Sequence, residues 1–294
     1  MKPQIFLLTV AVVLAGCVGQ PGGTAGGGTA GLILTSFSPE VPEVESGQSV
    51  SFTTIVKNVG DITVTSGNAK IDIIGLDDWT GDKTKTVDID LRRADPSRQE
   101  EGGEFLHDFP LTAPTGKQVT LSYTPTARLS YFYETISTIQ MKFVTRELTR
   151  TNPNEQSTAT VTTTSGPFLV TVKGKLPIIQ SGDNVKVSFQ LEIQNVGGGK
   201  AFAGIGLEAA SNEADLISIT VPQIQGVTIP ACTPISTTNQ SPPRLIGGKS
   251  RLLSCTLTFS KVPAAGFATS NFDLNLAYNY LIDTQSSVTV LKPI

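Results

Sequence analysis

A short pattern occurs twice in this chain, in the same order each time, and that repetition most limits the folds open to it. Ser46-Gly47 precedes Val50-Ser51-Phe52 and then Ile55-Val56-Lys57-Asn58-Val59-Gly60. Ser181-Gly182 precedes Val187-Ser188-Phe189 and then Leu191-Glu192-Ile193-Gln194-Asn195-Val196-Gly197. Phe52 to Phe189 and Asn58 to Asn195 are both 137 positions apart. A second block, Leu129-Ser130-Tyr131-Phe132-Tyr133, matches Leu276-Ala277-Tyr278-Asn279-Tyr280 at an offset of 147. Between the two, Gly116-Lys117 before Val119 and Leu121 matches Gly248-Lys249 before Leu252 and Leu253. The drifting offset places insertions in the loops between the blocks.

Each block has a local physical reading. Val50, Phe52, Thr54 and Val56 alternate along a strand that ends in Asn-x-Gly, where Asn and Gly tolerate positive φ. Leu-x-Tyr-x-Tyr puts a leucine and two tyrosines on one strand face, with the rings read as core rather than as ligand contacts. Thr135 to Val144 and Leu281 to Leu291 are expected to supply a hairpin and a closing strand. Charged residues are only 16% of the chain, and Thr, Ser, Val and Gly are abundant, with frequent Pro punctuation. No segment shows a 3.6-residue apolar period of helix length. The expected body is all-β, two tandem immunoglobulin-like antiparallel β-sandwiches at 32–166 and 167–294. Pro167 and the polar run Thr151 to Gly166 mark the boundary, unless Ser157 to Thr164 closes the first unit as its last strand.

Ahead of this body, Lys2 and an apolar run from Ile5 to Leu14 lead through Ala15-Gly16 into Cys17. The build is that of a secretory signal, and the run is too short to span a bilayer of about 30 Å. The small residues before Cys17 resemble a lipobox, in which the thiol is acylated and cysteine becomes the first residue. Residues 1–16 then form a lipoprotein signal peptide and 17–31 a lipidated cysteine with a Gly-rich linker. A coil of that length has an end-to-end distance of roughly 20 Å. One acyl chain binds membranes only marginally, so stable anchoring calls for two. The competing reading is a plain disordered N-terminus after an ordinary signal cut.

Net charge is −3, unevenly placed. Residues 32–166 carry 12 Lys and Arg against 18 Asp and Glu, and residues 167–294 carry 9 against 7. Neither half has a basic stripe to neutralise a phosphate backbone, which argues against a nucleic-acid partner. With Cys17 committed to lipid, Cys232 and Cys255 form an even pair in an exported chain and are expected to be a disulfide. Such a bond would staple the proline-rich loop Thr228–Gly248 and stabilise by about 3 kcal/mol in the chain-entropy model. The alternatives are two free thiols or half of a metal site, and the latter lacks any His in that half or a CxxC spacing.

The charged insertion 77–108 is the most polar part of the body and holds the single Trp (Trp79) and the single His (His107). Three readings compete for it. Asp77, Asp78 and Asp82 offer oxygen ligands to Ca²⁺ but lack the spacing of a dedicated calcium loop. Trp79 offers an aromatic platform for a sugar or a protein. The third reading is a solvated hairpin whose Trp79 packs on the sandwich. No cofactor is expected. An enzyme is disfavoured: one His, no Gly-x-Ser-x-Gly elbow, and Gly197-Gly198-Gly199-Lys200 reads as a turn rather than a phosphate loop. Asn239-Gln240-Ser241 is a lone sequon followed by Pro242, and reads first as an exposed loop.

The pattern Ser-Gly, alternating strand, Asn-x-Gly, then small residues resembles the tandem cell-adhesion-related (CARDB-like) immunoglobulin-like domains of prokaryotic surface proteins. Archaeal S-layer-associated proteins carry similar repeats. The resemblance covers both halves, departs at 77–108, and implies a surface or adhesion role with no catalytic residues. The expected function is that of a membrane-anchored extracellular lipoprotein with an envelope-structural or adhesion role. Its partners would be the membrane, through Cys17, and an envelope protein or glycan. Two alternatives stay open. One is a ligand-binding subunit using the 77–108 loop or the inter-domain cleft for a glycan, peptide or Ca²⁺. The other is a self-assembling filament subunit.

Overall fold

The computed structural model describes residues 30–95, 97–116, 118–179, 183–202, 214–221, 231–233, 243–261 and 264–292. The expected signal peptide 1–16, Cys17, the expected linker as far as residue 29 and the Asn239-Gln240-Ser241 sequon lie outside the described residues. The first half runs β1 (Leu32–Pro39), β2 (Glu43–Glu45), β3 (Ser49–Asn58), β4 (Ala69–Ile74), β5 (Thr84–Thr86), β6 (Glu104–Thr112), β7 (Leu121–Tyr123) and β8 (Thr126–Val144). A short helix, α1 (Arg146–Thr151), and β9 (Thr158–Thr163) follow. The second half adds β10 (Phe168–Lys173), β11 (Asp183–Asn195), β12 (Lys200–Phe202), β13 (Ser218–Thr220) and β14 (Ala231–Thr233). It ends with β15 (Ser250–Lys261), β16 (Phe267–Gln285) and β17 (Val288–Leu291).

The body is all-β. Each half builds an antiparallel sheet of its own, β1-β3-β6 in the first and β10-β11-β15-β14 in the second. The alternation read in the sequence appears as burial: Val50, Phe52, Thr54, Val56 and Asn58 of β3 all face inward. β9 takes the edge of β8 over 137–142, so the run Ser157 to Thr164 does form a strand of the first half.

The third sheet belongs to both halves. Its order is β12-β16-β8-β4-β5, and β8 and β16 pair antiparallel along their whole lengths, from Phe267↔Val144 to Gln285↔Thr126. Where the repeat was expected to give two separate sandwiches, this ladder makes one continuous sheet beneath two outer ones. The expected hairpin at Thr135 is absent because nothing turns the chain there. β8 contains no Gly, Pro, Asn or Asp, and every second residue from Ala127 to Phe143 stays buried. A long strand with a free edge is a template for another, and the repeated strand supplies it.

The offset of 147 equates Tyr131 with Tyr278 and Tyr133 with Tyr280, while the ladder pairs Tyr131 with Tyr280 and Tyr133 with Tyr278. The two copies are therefore related by a pseudo-two-fold axis through the pair Phe132↔Asn279. The face carrying the tyrosines is covered by both outer sheets. β1 packs against β8 and β16. From the other outer sheet, Phe168 sits 4.6 Å from Tyr278, and Phe189 lies 6.3 Å from Phe143 and 6.4 Å from Phe272.

One matched block proves to be misaligned. Gly248-Lys249 leads into β15, which pairs with β11, and Asn195 N–H donates to Lys249 O at 2.7 Å. In the first half Asn58 N–H donates to Gly103 O at 2.9 Å, and β6 is the strand that follows. Gly102-Gly103, not Gly116-Lys117, is the true counterpart, at an offset of 146. Gly116 leads instead toward β7, which joins β2 in flanking the C-terminal β17.

Candidate functional site

The repeated Asn-x-Gly and Tyr residues meet in space, once per half. Asn58 Nδ2 donates to Ile62 O (2.8 Å), and Gly60 N–H donates to Asn58 Oδ1 (2.9 Å). Asn195 repeats both bonds, to Gly199 O (2.9 Å) and from Gly197 (3.3 Å). Tyr133 Oη accepts from Ile62 N–H and Tyr280 Oη from Gly199 N–H, at 3.2 and 2.8 Å. Each phenol then donates, Tyr133 to Ser165 O (2.8 Å) and Tyr280 to Asn195 Oδ1 (2.7 Å). Burial pushes both phenols up to about 12. The glycine is required here by close approach and not by positive φ: a Cβ on Gly60 would lie 2.0 Å from Tyr133 Oη, and one on Gly197 2.6 Å from Tyr280 Oη. These corners hold strand ends and leave the tyrosines no face for a ligand.

The segment 77–108 is a crossover between sheets rather than a loop hung on the body. β4 turns back into β5, Val64 bridges Leu91, and β6 begins inside the segment. Trp79 is 2% exposed, which excludes it as a surface platform. Its ring packs edge-on to Phe52 and Tyr123, at 5.8 and 5.7 Å, because the turn closed by Trp79 N–H to Leu76 O throws it inward. Asp77, Asp78 and Asp82 are exposed. Asp78 accepts from Tyr123 Oη at 2.8 Å, and burial together with that carboxylate raises the phenol to about 12.

Other carboxylates of the segment tie it to its neighbours. Glu101 pairs with Lys57, which holds it below the usual carboxylate range. Asp90 accepts from Ser66 N–H and Asp108 accepts from Thr53, while Asp88 pairs with Lys85 within the segment. Among the described residues, no three His, Cys, Asp or Glu side chains come together as a metal cage.

Cys232 and Cys255 form a disulfide, with Cα atoms 4.0 Å apart, between residues directly paired on β14 and β15. The proline-rich segment that it staples contributes ladder bonds at 231–233, where the three residues from Ala231 to Thr233 contain no proline.

The polar groups that the sequence reading passed over lie at the corner of the second half. A cleft of about 660 Å³ opens beside the Asn195 turn, lined among others by Gly198, Gly199, Lys200, Asp215, Gly248 and Lys249. Gly197 to Gly199 form the turn between β11 and β12, as read, but the neighbouring Asp215 carried no local signal. Only its place in the repeat distinguishes it.

No family model matches this chain, and no curated protein matches it. Among solved structures, it is similar to Escherichia coli alpha-2-macroglobulin activated by porcine elastase at 9% identity and a TM-score of 0.18. That match covers 89% of this chain and 33% of the other, so the chain spans about a third of that protein's length. A TM-score so low supports no inference about fold or activity.

Proposed function

We propose that this protein is a membrane-anchored extracellular lipoprotein with a non-catalytic, envelope-structural or adhesion role. The observation that carries the reading is Leu14-Ala15-Gly16-Cys17 at the end of a short apolar run, followed by a Gly-rich stretch that reaches the first strand at Leu32. Two acyl chains on Cys17 would hold the β body roughly 20 Å from the headgroups. Among the described residues no helix is long and apolar enough to cross a membrane. The resemblance of the repeated Asn-x-Gly strands to cell-adhesion-related domains supports the surface role. Glu101, Asp90 and Asp108 of 77–108, with Tyr133 and Tyr280, are engaged in holding strands and their ends together, which suits a scaffold.

The test is Cys17→Ser in a host with lipoprotein processing, followed by labelled-palmitate incorporation and membrane fractionation. The expected variant takes up no label and is either released or kept as a slower-migrating uncleaved precursor. Recovery in the membrane fraction with label and unchanged mobility would refute the anchor.

A further inference from the structure

The internal repeat supplies a control for each position of the second half, and at one corner the two copies part company. In the first half Leu91 donates its N–H to Val64 O at 2.8 Å, accepts from Asn58 Nδ2 at 2.8 Å, and is wholly buried. In the second half Asp215 donates its N–H to Ala201 O at 2.7 Å. Ala201 lies 137 positions after Val64, so Asp215 occupies the place of Leu91. The surroundings change with it. Ile62 becomes Gly199, Thr63 becomes Lys200, Glu101 becomes Gly247 and Gly103 becomes Lys249. An apolar plug has been replaced by a carboxylate, bulky walls by glycine, and two ammonium groups have been added. The corner that is sealed in the first half is the 660 Å³ cleft of the second.

Asp215 is held in that position at some conformational cost. Its φ is +66°, in the left-handed region that few non-glycine residues adopt. Gly248 makes room for it, since a Cβ there would lie 2.9 Å from Asp215 Oδ1. The carboxylate is half-buried, and among the described residues no hydrogen bond or ion pair engages it. Lys200 and Lys249 are exposed at the rim. The volume lies within the range of small-molecule sites.

We propose that this cleft binds a carboxylate-bearing sugar of a glycan chain. A purely cationic ligand meets two lysines, and a purely anionic one meets Asp215. A sugar acid satisfies both, its carboxylate on the ammonium groups and its hydroxyls donating to Asp215. Glycine walls let the ring approach the backbone, and the open mouth lets the chain run on. The site does not depend on the anchor, so loss of either leaves the other standing.

The experiment is titration calorimetry of the full chain in detergent micelles. The probes are oligogalacturonate and oligoglucuronate, a neutral galactose oligomer of equal length, and glutamate. At least one sugar acid is expected to bind, with the neutral oligomer and glutamate at least about tenfold weaker. Asp215→Asn, which tolerates the left-handed backbone, and the exposed Lys249→Ala should each weaken it by about tenfold, the scale of one charge-assisted hydrogen bond. Unchanged circular dichroism shows that both variants remain folded, and Lys249→Ala tests the site even if Asp215→Asn unfolds. Absence of binding to both sugar acids, equal affinity for the neutral oligomer or glutamate, or undiminished binding by Lys249→Ala would overturn the proposal.

Discussion

Replacing Asn58 by alanine is the sharpest test of why the repeat is conserved within the chain. Asn58 is fully buried, and its side chain makes three hydrogen bonds to main-chain groups: Ile62 O, Leu91 O and Gly60 N–H. Alanine leaves the Ile62 carbonyl and the Gly60 N–H without partners where water cannot readily follow, while Leu91 O keeps only the Val64 N–H at 3.0 Å. At about 1 kcal/mol for each lost bond, plus desolvation of the orphaned groups, the cost is about 3–5 kcal/mol. Asn195→Ala removes a similar set, but beside an open cleft where water can take over, so about 1–2 kcal/mol is expected. The single tryptophan makes the assay direct, since Trp79 packs on Phe52 of the same half. With a urea m-value of about 3 kcal/mol/M, Asn58→Ala should lower the Trp79 fluorescence midpoint by about 1–1.7 M. A shift under about 0.3 M, or an equal shift from Asn195→Ala, would show that burial of this corner is not what makes it costly to disrupt.

Two further perturbations probe other joints. Reducing Cys232–Cys255 should raise amide exchange in β14 and β15 while β3 and β6 keep their protection; equal loss in both outer sheets would contradict a local staple. Val290→Asp places a carboxylate at a wholly buried position of β17, between Val44 and Leu121. It should cost at least about 3 kcal/mol and strip exchange protection from β2 and β7, both in the first half. Confinement of the loss to residues after 286 would refute that coupling.

Local features were readable in the chain. Alternation at Val50, Phe52 and Val56, the Asn58 and Asn195 turns, the inward tyrosines and the cysteine pair each follow from neighbours in sequence. The pairing of β8 with β16 was not, because which strand takes a free edge is settled by residues more than a hundred positions away. The unbroken alternation through Ile139, Met141 and Phe143 was nevertheless a visible sign that no hairpin starts at Thr135. Phe105, Phe109 and Leu111 also alternate, but charges between them disguised β6 as loop. Trp79 packing on the sandwich was among the readings of 77–108, but its neighbouring aspartates kept the platform and Ca²⁺ readings open beside it. Gly102-Gly103 shares only a glycine with Gly248-Lys249, too little to fix the alignment, so the Leu91 and Asp215 equivalence emerged only from hydrogen bonds.

The placement of β17 also bears on the time course of making this protein. β2 and β7 emerge early, yet β17 (Val288–Leu291), the strand lying between them, is synthesised long after both. Until then the first half stays unfinished, and the outward edge of β8 waits just as long for β16. The growing chain must therefore keep a nineteen-residue strand edge from engaging a neighbour until β16 has been made. Chains cut short before β17 would lack the strand that completes the first half, so a truncated product would be exposed at the end made first.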